Sequence, residues 1–414
     1  MKKTFLLSCL MLAAMPVMAA YTGHVYVDKN KNGVFDQSEK PLAGIKVSDG
    51  LNVVETAADG SFTLPGHERE RFIFITTPSG YKTFNRHYHK IEKKQSGYDF
   101  GLIPYSGRIR KDGSHRYIHI TDTEIFNTEN HADWVNNVRD YARNEQAAFI
   151  IHTGDICYEK GLKAHIKLMN TENMDCPVFY CIGNHDLVKG KYGEELFESI
   201  YGPVYYSFDA GNVHYVVTPM PGGDHAPGYT SDDVCRWLKN DLAHIRPGTP
   251  VVVFNHDLLT YEDTFIFKSK NAGSINLNEY NLKAWVYGHW HINYMKKQGD
   301  VYSVCTSSLD KGGIDHSTTA FRVMHVDSKG DFTSELRYTY LDKNICIASP
   351  AGVMASGVLP VAVNVYSSVS PVREVLYTCL ADGKPVLKNK RLLQSTDWSW
   401  NGELPLSHKY VGKE

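Results

Sequence analysis

The chain has 414 residues, 42% of them hydrophobic and 22% charged, which fits a soluble globular protein too long for one ordinary core, so two or three domains are expected. A formal net charge of -2 and a pI near 6.8 supply no basic field to hold a polyanion by counterion release. Nucleic acid is therefore excluded as an expected partner.

The N-terminus carries Lys2-Lys3, an apolar run from Phe5 to Met18, and Ala19-Ala20. These are the charged, apolar and small-residue regions of a secretory signal peptide, and the apolar core is too short to span a bilayer. Residues 1–20 are thus expected to be removed, leaving a secreted or periplasmic protein with no transmembrane segment. Cys9 follows Leu-Leu-Ser but lies inside the apolar core, which favours plain secretion over lipidation. The other seven cysteines show no framework or zinc-knuckle spacing, and Cys157, Cys176, Cys181 and Cys305 sit in apolar runs as small buried hydrophobes.

Residues 21–104 read as an N-terminal β-sandwich of short alternating strands: 21–27, 45–47, 53–56, 61–64 and 71–76, with Asp59-Gly60 as a hairpin turn. Within it, residues 28–39 fit the twelve-residue calcium loop. Asp28, Asn30, Asn32, Asp36 and Glu39 offer oxygens at positions one, three, five, nine and twelve, Gly33 allows the sharp bend, and Val34 takes position seven. A structural calcium ion is expected there, although no helices flank the loop.

Residues 105–115 read as a polar linker, after which the pattern changes. Strands at 117–121, 149–153 and 177–182 alternate with helices at 131–145 and 161–172, which implies parallel pairing with right-handed crossovers in an α/β domain. A meandering stretch at 205–218 precedes a helix at 231–245 and buried strands at 251–254 and 284–287. From Val301 onward the alternation is antiparallel, including 320–326 and 334–341. The central domain is set at 116–326 and a C-terminal β domain at 327–414, where Ala381-Asp-Gly-Lys384 marks a tight turn.

Each central strand ends in ligand-type residues: Asp122-Thr-Glu124, Gly154-Asp155, Gly183-Asn184-His185-Asp186, Asn255-His256, and Gly288-His289-Trp290-His291. In an open α/β sheet the crevice beyond the strand C-termini is where sites form, so five such ends converge on one place.

The set resembles the calcineurin-like metallophosphoesterases, whose blocks run D-x-H, G-D, G-N-H-D/E, H and G-H-x-H in this order. The resemblance implies a central β-sandwich flanked by helices, with small all-β domains at both ends like those attached to secreted bacterial members. It also implies a two-metal centre that activates water to hydrolyse a phosphate mono- or diester. In that scheme Asp155 bridges two divalent ions, Asp122, Glu124 and His291 complete the first, and Asn184, His256 and His289 the second. His185 then donates a proton to the leaving oxygen, oriented by Asp186.

The sequence departs from the family at Glu124, where histidine is usual. A hard, charged oxygen there shifts preference from zinc toward manganese, magnesium or ferrous iron. The alternative is a catalytically weakened carbohydrate- or envelope-binding protein on the same scaffold. Export and neutral charge point the hydrolase toward a phosphate-ester small molecule or a phosphorylated glycan.

Other residues are read more plainly. His119 is expected to be satisfied within its strand, and His214, His244 and His325 to be structural. Trp290 is expected to pack away from its neighbours. His316, Asn127 and Tyr158 lie where they could reach substrate.

Overall fold

The computed structural model describes residues 20–341, 343–352, 356–396 and 398–410. The expected signal peptide lies outside the described residues up to position 19, and Cys9 with it. No helix among the described residues is long and apolar enough to cross a membrane.

The N-terminal domain is a sandwich of two sheets. In one, Tyr21–Val27 lies between Lys40–Pro41 and the parallel strand Phe100–Pro104, and also pairs with Ser61–Leu64. In the other, Lys46–Ser48 lies between Val53–Glu55 and Phe72–Ile75. Alternating side chains such as Val25, Val47, Leu64 and Ile73 fill the space between them, as a half-buried strand dictates.

Asp59-Gly60 makes a turn but not the expected hairpin, because the strands on either side of it belong to different sheets. The Gly60 carbonyl accepts from Val25 N–H, and a Cβ there would meet Val25 O at 2.6 Å, so the turn tucks under the neighbouring strand.

In the loop 28–39 the buried Asp28 and Glu39 turn inward and accept from backbone N–H groups of Asn32, Gly33, Lys29 and Asp36. Asn30 and Asn32 donate to Asp36.

The central domain is two facing sheets. The first has the order Val178–Tyr180, Phe149–His152, His115–Ile120, Ala320–Val326, Phe332–Tyr338, and its first three strands are parallel. The second runs Tyr206–Ala210, Val213–Val217, Val251–Phe254, Leu282–Tyr287, Val301–Cys305, Tyr294–Gln298. Between the sheets the rings of Tyr117 and Phe149 stack at 4.8 Å, and Tyr215 and Phe254 at 5.6 Å.

Helices α1 (Ala132–Asn144) and α2 (Tyr158–Leu168) cover the outer face of the first sheet through Trp134, Val138, Tyr141 and Leu162. A short helix α3 (Glu195–Tyr201), absent from the sequence reading, packs beside α2. Helix α4 (Ser231–Ala243) packs Trp237, Leu238 and Leu242 into the core that includes the second sheet. It opens with a capping box between Thr230 and Asp233 that satisfies first-turn N–H groups.

Phe332–Tyr338, expected in the C-terminal domain, instead pairs with Ala320–Val326 as the edge of the first central sheet, so that domain begins later. The C-terminal domain is a four-stranded sheet, Asn344–Ser349, Gly357–Tyr366, Ser399–Leu406 and Leu393–Gln394, together with a hairpin, Leu376–Ala381 and Lys384–Arg391. The hairpin turns at Asp382-Gly383, both at positive φ as a two-residue turn requires.

The two end domains attach differently. Phe72, Phe74 and Tyr88 of the N-terminal domain belong to the same hydrophobic cluster as the central sheets. Arg71 reaches Glu194 and Glu198 at 2.8 and 2.7 Å. The C-terminal domain has its own small core around Trp400 and Leu392 and is tied on by polar links such as Arg373 to Glu145.

Candidate metal centre

The five strand ends meet at one end of the sandwich. Asp122 is fully buried, accepts from Thr121 Oγ1 and His289 N–H, and lies 3.2 Å from His291 Nε2. Glu124 Oε1 lies 3.5 Å from the same nitrogen, and its other oxygen pairs with Lys311. Asp155 Oδ2 is 3.1 Å from His256 Nε2, while its Oδ1 accepts from His185 N–H. Asn184 Oδ1 is 3.2 Å from His256 Nε2.

His256 donates through Nδ1 to the Thr153 carbonyl, which fixes its tautomer and turns Nε2 inward. Asp155, His256 and His289 offer ligand atoms all within 4.8 Å of one another. A second such grouping, Asp49, His67 and Glu70 in the N-terminal domain, already has carboxylate oxygens on Leu51, Asn52 and His67 N–H groups.

The backbone is strained where these side chains emerge. Asp122, Glu124, Asp155, His289 and His291 all have φ between 45° and 64°, a region that non-glycine residues rarely occupy. Close packing explains two of the glycines. A Cβ on Gly183 would meet Asp155 Oδ1 at 2.2 Å, and one on Gly288 would meet Thr121 Oγ1 at 1.9 Å.

Negative charge dominates the cluster. Burial disfavours protonation of His256, but Asp155 and Asp122 outweigh it and raise the imidazole's pKa. His291 is raised first by its hydrogen bond to Asp122. Burial also opposes the charge on Asp155, yet His256 beside it holds that carboxyl below the usual range. Carboxylates that draw imidazoles toward protonation are the setting a divalent cation would neutralise, and the oxygen and nitrogen donors fit one.

His185 is half-exposed at the mouth of an open cleft of about 600 Å³, whose lining includes Glu124, Asp155, Asp257 and His289. Asp186, expected to orient His185, does not face it. Its carboxylate is fully buried and accepts from Gly183 and Cys157 N–H at 2.9 Å, pinning the turn. Burial and the charge of Asp155 raise its pKa. The partner of His185 is Asp224, 2.8 Å from Nδ1. Against burial, that bond and the Asp155 charge raise the His185 pKa.

Asp224 and Lys311 were missed by the sequence reading. Asp224 ends a Gly-Gly-Asp turn after the strand Val213–Val217, a signal of the same kind as the other strand ends. Lys311 has no such signal.

The remaining residues divide. His119 is fully buried between Thr153 and Thr306 hydroxyls. His214, His244 and His325 each face a carboxylate away from the site, at Asp241, Glu55 and Glu335. Trp290 packs against Tyr287 and donates to Asp257 Oδ1, but it also lines the cleft. Tyr158 stands 5.3 Å from the His185 ring and stacks on the exposed Phe126. Asn127 is turned to Glu129 N–H, and His316 is exposed in its turn. All seven described cysteines are free, with Cys157, Cys176, Cys181 and Cys305 buried.

Residues 115–293 match the family model for calcineurin-like phosphoesterase, and residues 29–104 match the model for the N terminal of calcineurin-like phosphoesterase. The two matches together span more than half of the chain, and the protein belongs to the calcineurin-like phosphoesterases.

Among curated proteins it is similar to purple acid phosphatase 13 of Arabidopsis thaliana, 26% identical over 215 residues. That match covers 49% of this chain and 36% of the relative, so the chain spans about a third of the relative's length. Among solved structures it is similar to a novel archaeal phosphodiesterase, with 13% identity, 53% of this chain and 99% of that one covered, and a TM-score of 0.28. It is also similar to a phosphopantetheinyl hydrolase from Mycobacterium tuberculosis, with 13% identity, 48% and 91% covered, and a TM-score of 0.31.

Proposed function

We propose that the protein hydrolyses a phosphate mono- or diester at this centre. The observation that carries the reading is the meeting of Asp122, Glu124, Asp155, Asn184, His256, His289 and His291 around one cleft, with His185 at its mouth. In this reading Asp155, 3.1 Å from His256, would serve both ions, with Asp122, Glu124 and His291 completing one and Asn184, His256 and His289 the other. Two divalent ions held there would supply a deprotonated water and offset charge on the phosphoryl oxygens. The hard oxygens of Asp122, Asp155 and Glu124 favour manganese, magnesium or ferrous iron over zinc.

His185 holds a proton at the cleft side and gives it to the leaving oxygen. Asp224 keeps the ring oriented through Nδ1 and stabilises its protonated form. Asp186 acts earlier in the chain of support, by holding the Gly183 turn from which Asn184 and His185 project.

The test is release of 4-nitrophenol from 4-nitrophenyl phosphate and bis(4-nitrophenyl) phosphate by the metal-loaded protein. Turnover that chelation abolishes is expected. Hydrolysis of neither ester, nor of a wider ester panel, would leave the binding-protein alternative.

Two further parts of the reading have separate tests. Export predicts that N-terminal sequencing of protein recovered outside the cytoplasm starts near Tyr21. Calcium in the loop 28–39 predicts a higher melting temperature in millimolar calcium, reversed by Asp28→Ala.

A further inference from the structure

A second cavity, about 760 Å³, lies beside the metal centre. Asp257 lines both this cavity and the 600 Å³ cleft. Continuity of the chain reinforces the adjacency. One wall comes from Pro219 and Pro221, a few residues before Asp224, and the facing wall from the segment that follows His256. Asp257 is held in this partition by Trp290, which donates to its carboxylate at 3.0 Å, and by Trp285, which donates to its carbonyl at 2.8 Å.

The size is that of a ligand site and far exceeds what a phosphoryl group fills. Its interior is apolar, with Leu258, Leu259, Ile266 and Phe267 half-buried and Val234 and Trp285 buried behind them. Several polar groups of the lining are already paired, while the Ser231 and Thr260 hydroxyls and the Asp257 carboxylate border the apolar stretch. Asn255 Nδ2 donates to Thr218 and Pro219 carbonyls, Trp285 Nε1 to Asp257, and the Tyr229 hydroxyl to the Met220 carbonyl. Glu262, Thr264 and Lys268 are exposed and form a rim.

A sugar set against Leu258, Leu259, Ile266 and Phe267 would leave hydroxyls there without partners, a cost that a hydrocarbon does not incur. We propose that this pocket takes the hydrocarbon part of the substrate, so that the ester cleaved next to it is an alkyl or lipid-like phosphate rather than a phosphorylated glycan. The inference rests on the hydrolase reading of the metal centre for its chemistry, but binding can be measured without turnover.

The experiment uses the metal-loaded full chain and two pairs of probes, each kept below its micelle concentration. For methyl and octyl phosphate, phosphate release should give a KM at least tenfold lower for the octyl ester. For methyl- and octylphosphonate, calorimetry should show binding at least tenfold tighter for the octyl compound. Leu259→Arg, which sets a charge in the pocket, should reduce both ratios to within twofold, and Leu259→Ser serves if the arginine variant does not fold.

Octyl and methyl probes that bind equally well would overturn the proposal, as would ratios unchanged in a folded Leu259 variant. Chain-length-dependent phosphonate binding without hydrolysis of any ester would retain the pocket and reject the hydrolase reading. Hydrolysis without chain-length dependence would do the reverse.

Discussion

The proposed centre has an imidazole and amide half, Asn184, His256 and His289, and a carboxylate half, Asp122, Glu124 and His291, with Asp155 proposed to serve both, and the halves differ in charge. The first half has no carboxylate of its own, and Asp155, 3.1 Å from His256, supplies the negative charge beside it. The second brings two carboxylates of its own, and Lys311 offsets the one that replaces the family's usual histidine. Glu124 therefore does not stand alone in the structure. Its added charge comes with a cation drawn from a loop on another part of the chain.

The largest effect is expected at the residue both halves share. Asp155→Asn should empty both halves and lower metal affinity by more than the ~10–100-fold typical of residues that only support a ligand. Elemental analysis of purified variant and parent checks this, and full retention of both ions would remove Asp155 from the centre. Changing the proton donor should leave the halves intact. His185→Ala is expected to lower kcat by ~10²–10⁴-fold at unchanged metal content. A full rate in this variant would show that the proton comes from another group.

Asp224→Ala removes a hydrogen bond to a charged ring, worth about 1.5–3 kcal/mol or roughly 10–100-fold in rate. Asp186→Asn, by contrast, should act through the Gly183 turn and lower the melting temperature before it touches the chemistry. A kinetic and melting comparison of the two variants separates them.

The charge difference between the halves is set at Glu124 and Lys311. Glu124→His should shift metal occupancy from manganese toward zinc, read by competition in a mixed-metal buffer. Lys311→Ala frees the Glu124 oxygen it now occupies, and manganese should bind a few-fold more tightly, the ~1 kcal/mol scale of a partly exposed ion pair. Weaker binding would mean that Lys311 supports the site rather than competing for it.

Much of the site was legible because each cluster follows an apolar strand, and strands of a sheet deliver their ends to one edge. Asp122, Asp155, Asn184, His256, His289 and His291 are far apart in the chain yet adjacent in space for that reason. Asp186 shows where the inference fails. Adjacency to His185 suggested a pair, but consecutive side chains leaving a turn diverge, and the buried carboxylate was taken by backbone N–H groups. The partner instead came from 39 residues away. Phe332–Tyr338 departs from expectation for a related reason. Alternation identifies a strand but not the sheet it joins.

Apolar periodicity and residue chemistry are local properties, and they were enough to establish the α/β class, the strand-end clusters, their order and the odd residue among them. Folding had to bring distant segments together before Asp224 faced His185, Lys311 paired with Glu124, the N-terminal domain shared the central core, and a largely apolar cavity opened beside the strand-end cluster. Those contacts depend on how the sheets close on one another rather than on any single stretch of chain.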